Sequence, residues 1–138
     1  MEVLVNWWAI VFATLSTMVV GSVWYAKSVF GKTWMKLIGK TEKQLNQTLW
    51  PIVRTVIVSF ITAYVLAHVT FLSHKFFNNS FLQDAVSTAF WLWLGLIAAR
   101  IITHDAFENR PAKLTILNVA HEFVTLMVMG VIIGFMQP

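Results

Sequence analysis

Four long apolar stretches, Val3 to Tyr25, Pro51 to Phe71, Ala85 to Thr103 and Leu114 to Met136, occupy most of the chain and leave only short connections between them. A helix rises about 1.5 Å per residue and the hydrocarbon core of a bilayer is about 30 Å thick, so each stretch is long enough to span a membrane. Only 12% of the residues are charged and the mean hydropathy is +0.71, which excludes an ordinary soluble domain. The expected fold is all-α: an integral-membrane four-helix bundle forming a single domain over residues 1–138. No internal repeat and no second domain fits in what remains. The first span starts at Met1-Glu2 without a basic leader, so it is expected to persist as a helix rather than be cleaved as a signal peptide.

The distribution of charge assigns an orientation. Lys27, Lys32, Lys36, Lys40 and Lys43 lie between the first two spans, and Arg110 and Lys113 between the last two, whereas the connection from Ser73 to Phe81 holds only Lys75. By the positive-inside rule the first and third connections are cytoplasmic and both chain ends face outward, in a cell membrane. The net charge of +4 therefore reports topology, not a nucleic-acid partner. Trp7 and Trp8 at one end, and Trp24, Tyr25, Trp34 and Trp50 at the other, suit interfacial belts. The absence of cysteine rules out disulfides and thiol chemistry.

Residues 28–49 are expected to lie in the cytoplasmic headgroup region. Phe30, Trp34, Leu37, Ile38, Leu45 and Leu49 fall near one helical face, and Lys32, Lys36, Lys40, Lys43 and Gln47 on the other. Gly39 should interrupt this segment, Thr41 with Gln44 reads as a capping box, and Trp50-Pro51 marks entry into the second span. The lysines either anchor the chain at the interface or recognise anionic lipid. In the first span Ala9, Ala13, Thr17 and Gly21 recur every four residues, a stripe on which another helix can approach closely; Gly130 and Gly134 form a second, shorter one. Neither stripe says whether its partner lies in the same chain or in another copy.

The last span breaks its own pattern. Asn118, His121, Glu122 and Thr125 are spaced i, i+3, i+4 and i+7 and so share one helical face. Glu122 lies on the order of 13 Å beyond Lys113 along the helix, well inside the hydrocarbon. An ionised carboxylate there costs about 2.5 to 3.5 kcal/mol on insertion scales, so it should pair or stay protonated. Arg100 and Arg54, each close to the cytoplasmic boundary, are candidate partners, with Arg100 favoured because antiparallel helices joined by a short connection are usually neighbours. Arg100 has competing acceptors in Asp105 and Glu108. Thr55, Ser59 and Thr62 form a weaker polar stripe on the second span, and His104, Asp105, Glu108 and Arg110 cluster in the last connection, with Pro111 expected in the first turn of the final helix.

Trp24-Tyr25 followed by Phe30-Gly31-Lys32 and Trp34-Met35, and then Phe107-Glu108-x-Arg110-Pro111 with Leu114, Asn118 and Met129-Gly130, resembles the small integral-membrane proteins catalogued as domain of unknown function 1761. The resemblance extends over nearly the whole chain. It implies a multi-pass membrane protein and carries no established activity, substrate or catalytic residue. Ala26-Lys27 departs from the Ser-Pro that follows the tyrosine in many relatives.

Two functions then compete. In one, a small transporter or channel, a homodimer or larger assembly, moves a proton-coupled or anionic solute, with Glu122 titrating beside Arg100 and Arg54. In the other, the polar face is adhesive between helices and the chain is a membrane scaffold binding another membrane protein or anionic lipid. His104, Asp105, Glu108, His121 and Glu122 have metal-ligating chemistry but no short histidine spacing, so no metal is assigned. No nucleophile elbow, phosphate loop or cofactor motif is present, and enzymatic activity is not expected.

Overall fold

A computed structural model describes residues 2–46 and 48–138. Its elements are α1 (Trp7–Trp24), α2 (Gly31–Ile38), α3 (Glu42–Leu45), α4 (Trp50–Phe77), α5 (Phe81–Leu92), a π-helical turn (Trp93–Ala98), α6 (Ala99–Phe107) and α7 (Ala112–Phe135). Helix α5, the π turn and α6 run on as one continuous rod. Four rods, α1, α4, α5 through α6, and α7, are long and apolar enough to cross a membrane, as a membrane protein requires.

The long helices pack in a ring in the order α1, α4, α5, α7 and back to α1, while α4 and α7 touch only slightly across the diagonal. Inside the ring the side chains are mostly small. Ala9, Ala13, Ala63, Ala67, Ala85 and Ala89 are buried, with Ile10, Leu66, Leu126, Met129 and Ile133 filling the spaces between them. Outside, the apolar residues are large: Phe12, Val19, Ile57, Ile61, Trp91, Ile116 and Phe135 are all exposed. Small-inside, large-outside packing is what association in lipid favours, because lipid tails give no hydrophobic drive and attraction depends on close backbone contact.

Both glycine-containing stripes find their partners within the chain. Ala9, Ala13 and Thr17 are buried on α1, and Thr17 Oγ1 bonds Ser59 Oγ of α4 at 3.0 Å. A Cβ on Gly130 would lie 2.9 Å from Ala89 Cβ, and one on Gly134 2.7 Å from Leu82 Cδ1, so α7 and α5 are in near-backbone contact. Of the polar stripe expected on α4 only Ser59 reaches across, since Thr55 and Thr62 donate to their own helix at Pro51 O and Val58 O.

The first span is shorter than its apolar run, because the Asn6 side chain accepts from Trp8 N and Ala9 N and so starts α1 at Trp7. The second and third are longer than theirs. The expected connection from Ser73 to Phe81 is mostly helix: α4 continues to Phe77 and α5 starts at Phe81, so three residues make the turn. Asn78 closes α4 in the left-handed region (φ 55°), and Ser80 with Gln83 forms a capping box on α5. Helical hydrogen bonds do not require apolar side chains, so His74 and Lys75 stay helical. This tight turn brings Asp84, 2% exposed, against His74 Nδ1 at 2.9 Å and Asn79 Nδ2 at 2.9 Å, and Phe81 packs edge-on to the His74 ring.

At the lysine-rich end the chain leaves α1 through a compact turn. Phe30 N donates to Trp24 O and Gly31 N to Ala26 O, and a Cβ on Gly31 would fall 2.2 Å from Tyr25 O, so glycine is required there by close approach. Gly39 ends α2 at φ 66°, and the Thr41–Gln44 capping box opens α3, both as expected. Lys27 and Glu42 pair at 2.6 Å across this segment. Gln47, placed on the polar face from its spacing, lies outside the described residues. Pro111 sits just before α7 as its N-cap, not within its first turn.

Gly31→Ala is expected to lower stability by about 1–3 kcal/mol through overpacking. Gly95→Ala, whose Cβ would meet nothing within 4 Å, is expected to be neutral or stabilising by a few tenths. Thermal unfolding in detergent compares the two. His74→Ala leaves a buried carboxylate with one side-chain partner and is expected to cost about 1–3 kcal/mol. Hydrogen exchange should show the loss first in amides of the α4–α5 turn, and unchanged protection there would count against this anchoring role.

Candidate functional site

The polar face of α7 is split between two environments. Seen from α7, α1 and α6 lie on different sides, and adjacent residues 121 and 122 point to one each. Glu122 and Asn118 line a groove of ≈ 490 Å³, open at its mouth, between α6 and the first half of α7 with Tyr25 at one edge. His121 turns instead toward α1: its ring centroid lies 5.0 Å from that of Tyr25 and 5.9 Å from that of Trp24, and a Cβ on Gly21 would meet its Nε2 at 3.9 Å. Its Nδ1 remains 3.3 Å from Glu122 Oε1. The histidine side chain is 15% exposed and the glutamate 36%, so the pair joins a nearly enclosed ring to an accessible carboxylate.

The π turn positions the opposite wall. One residue inserted per turn rotates the following helix by roughly 100°, so α6 does not continue the facing of α5. Trp93, at the start of that turn, donates from Nε1 to Val119 O at 3.0 Å and packs edge-on to Phe123, which ties the segment to α7. Beyond it Arg100, His104 and Glu108 recur every four residues and line the groove facing Asn118 and Glu122. Asp105, buried at the edge of the same groove, accepts from Thr115 Oγ1 at 2.7 Å.

Arg110 closes the end of the groove. Its Nε pairs with Glu108 and lies 3.7 Å from Asp105 Oδ1, so the expected loop cluster of Asp105, Glu108 and Arg110 is brought together, with His104 beside it on the groove wall. Among the described residues Glu122 has no ion pair with either arginine. Arg100 shares the groove with it but has no carboxylate within ion-pair distance. Arg54 lies over the Trp50 ring, 5.4 Å from its centroid, because α4 sits diagonally across from α7. The group that does contact Glu122 is its sequence neighbour, the histidine.

Several features of the site were not legible in the spacing. Trp24, Tyr25, Phe30 and Trp34, read as interfacial aromatics, form a continuous cluster of tilted and edge-on rings: Trp24 against Phe30 at 4.7 Å, Tyr25 against Trp34 at 4.8 Å, and both Trp24 and Tyr25 against His121. The density of aromatics on either side of Gly31 was the available signal. The His74–Asp84–Asn79 cluster at the opposite end was also missed; the Ser80–Gln83 capping box, which shortens the turn, was its only trace. No group of three metal-ligating side chains converges among the described residues.

The cluster that encloses His121 is built from the Trp24-Tyr25 and Phe30-Gly31-Lys32-x-Trp34 motifs, and the groove end from Glu108-x-Arg110-Pro111. The motifs that carry the resemblance are thus the ones that shape the site. No curated protein and no solved structure matches the chain. A family model described as "Protein of unknown function (DUF1761)" matches residues 8–134, nearly the full length, and the chain belongs to that family.

Proposed function

We propose that the protein is a small oligomeric membrane transporter or channel in which Glu122 and His121 form a proton relay at the mouth of the α6–α7 groove. The observation that carries this reading is the position of His121, with one ring nitrogen on the carboxylate that faces the groove and the other turned into the helix interior. A ring placed across such a boundary can take a proton on one nitrogen and release one from the other, which a purely adhesive contact does not need. Arg110 in the same groove is taken up by Glu108 and Asp105, which leaves the Arg100 guanidinium to offset Glu122 or an anionic solute entering there.

In this reading the four helices form a bundle with α2 and α3 along the cytoplasmic surface, and the groove opens on the cytoplasmic side. Ile10, Leu66 and Met129 are fully or almost fully buried, so the centre of one copy is closed, which favours a pathway between copies and a homodimer or larger assembly as the working unit.

A second reading has one observation of its own. Arg100 is exposed in the groove and has no carboxylate partner among the described residues, so the same surface would hold an anionic headgroup in a scaffold. Flux separates the two. In proteoliposomes Glu122→Gln is expected to reduce proton or solute movement at least tenfold while the oligomer stays folded. Wild-type protein that is folded, oligomeric and silent toward every gradient would instead favour the scaffold. The natural absence of cysteine makes orientation testable with single introduced thiols. Lys40→Cys should label only from the cytoplasmic side and Asn79→Cys only from outside, and the reverse pattern would place the groove on the other surface.

A further inference from the structure

Three buried polar atoms near the α1–α7 contact have no hydrogen-bond partner among the described residues: Trp24 Nε1, His121 Nε2 and Thr125 Oγ1. Unpartnered buried groups are costly, and three along one seam are unusual for a native interior. Their placement has a common origin. Asn6 Nδ2 bonds Met136 O at 2.6 Å at one end of the seam, and Gly21 faces His121 toward the other; together these contacts fix an antiparallel register in which Thr17 lies level with Thr125. Thr125 is 6% exposed, and Thr17 continues the polar line to Ser59 through its 3.0 Å bond.

There is also room. On the glycine stripes, Gly130 and Gly134 are in such close contact that a Cβ would collide. At Gly21 a Cβ would meet only His121 Nε2 within 4 Å, and at ordinary contact distance. The seam is therefore loose at Gly21, the level of His121 Nε2, about one helical turn from Thr125.

The chemistry of the donor set selects the guest. The Trp24 indole offers only an N–H donor, which repels a metal cation and supplies none of the oxygen ligands that sodium-like or calcium-like ions require. An anion is opposed by Glu122, whose carboxylate is 3.3 Å from the other nitrogen of the same imidazole. When Nδ1 donates its proton toward Glu122, Nε2 becomes an acceptor. A neutral guest that accepts from Trp24 and donates to His121 satisfies both, and water, which typically makes about three hydrogen bonds when buried, does so at the smallest volume.

We infer that the α1–α7 seam beside Gly21 is a built site for ordered water, held by Trp24 Nε1, His121 Nε2 and Thr125 Oγ1. This rests on the relay reading for its purpose: water on the inner nitrogen of His121 makes the proton, and no metal cation, the species handed inward from Glu122.

The test is NMR on the ¹⁵N-labelled full chain in lipid nanodiscs, with the Trp24 indole signal assigned from its loss in Trp24→Phe. The indole proton is expected to show a direct cross-peak to water, retained in Gly21→Ala and lost in Gly21→Val, whose side chain fills the space. Thr125→Val keeps the shape and should weaken the cross-peak, which provides a readout if the valine at position 21 prevents folding. Absence of the cross-peak in the wild-type protein, or a through-bond coupling from the Trp24 indole nitrogen to His121 Nε2, would show a dry seam and overturn the inference. A hydrated seam in protein that moves no protons across proteoliposomes would leave the site standing and remove the relay.

Discussion

Close approach of helices through small residues is the constraint from which the other features of this structure follow. In lipid there is no gain from hiding apolar surface, so helices hold together only where their backbones come near enough for dense contact and for polar groups to meet. Gly130 and Gly134 against Ala85, Ala89 and Leu82, and Ala9, Ala13 and Thr17 on α1, provide that approach on two sides of α7. With α7 clamped between α1 and α5, rotation about its axis is no longer free. His121 is then directed at α1 and Glu122 at the groove beside α6, although the two are adjacent in sequence.

The polar contacts mark the ends and the seams, and apolar side chains fill the rest of the interior. Asn6 reaches Met136 at one end of α1 and α7, His74 and Asn79 hold Asp84 at the α4–α5 turn, and Thr115 holds Asp105 where α6 meets α7. Between them Ile10, Leu66 and Met129 close the interior. Hydrogen bonds of this kind gain strength from their low-dielectric surroundings, and leaving one member unpaired is correspondingly costly. Each pair therefore fixes helix register as well as adding stability. The π turn belongs to the same arrangement: the Trp93 bond to Val119 O secures it, and the rotation beyond it turns Arg100, His104 and Glu108 toward the groove.

The candidate site was partly readable. The i, i+3, i+4, i+7 spacing identified Asn118, His121, Glu122 and Thr125 as one polar face, because helical periodicity is a local property. The partner of Glu122 was not readable. Arg54 and Arg100 were plausible by depth, but depth along the axis says nothing about azimuth, and azimuth is set by which helices are neighbours and by the inserted turn at Trp93–Ala98. The aromatic enclosure of His121 was hidden for a similar reason. Trp24, Tyr25, Phe30 and Trp34 carry the ordinary signature of an interface, and only the folding back of α2 upon the end of α1 turns them into a cluster.

The sequence by itself determined the helical class, the number of long apolar helices, the helix boundaries at Gly39, Thr41 and Trp50-Pro51, and the family. Hydropathy, capping and breaker residues act over a few positions, and a chain of this composition has few other ways to satisfy its backbone in lipid. Tertiary structure decided which helix faces which, that both small-residue seams close within one chain, that Asp84 is buried against His74, and that His121 looks inward while Glu122 looks out. Those outcomes depend on rotation and register between segments far apart in sequence, and these are fixed by packing contacts that no local pattern encodes.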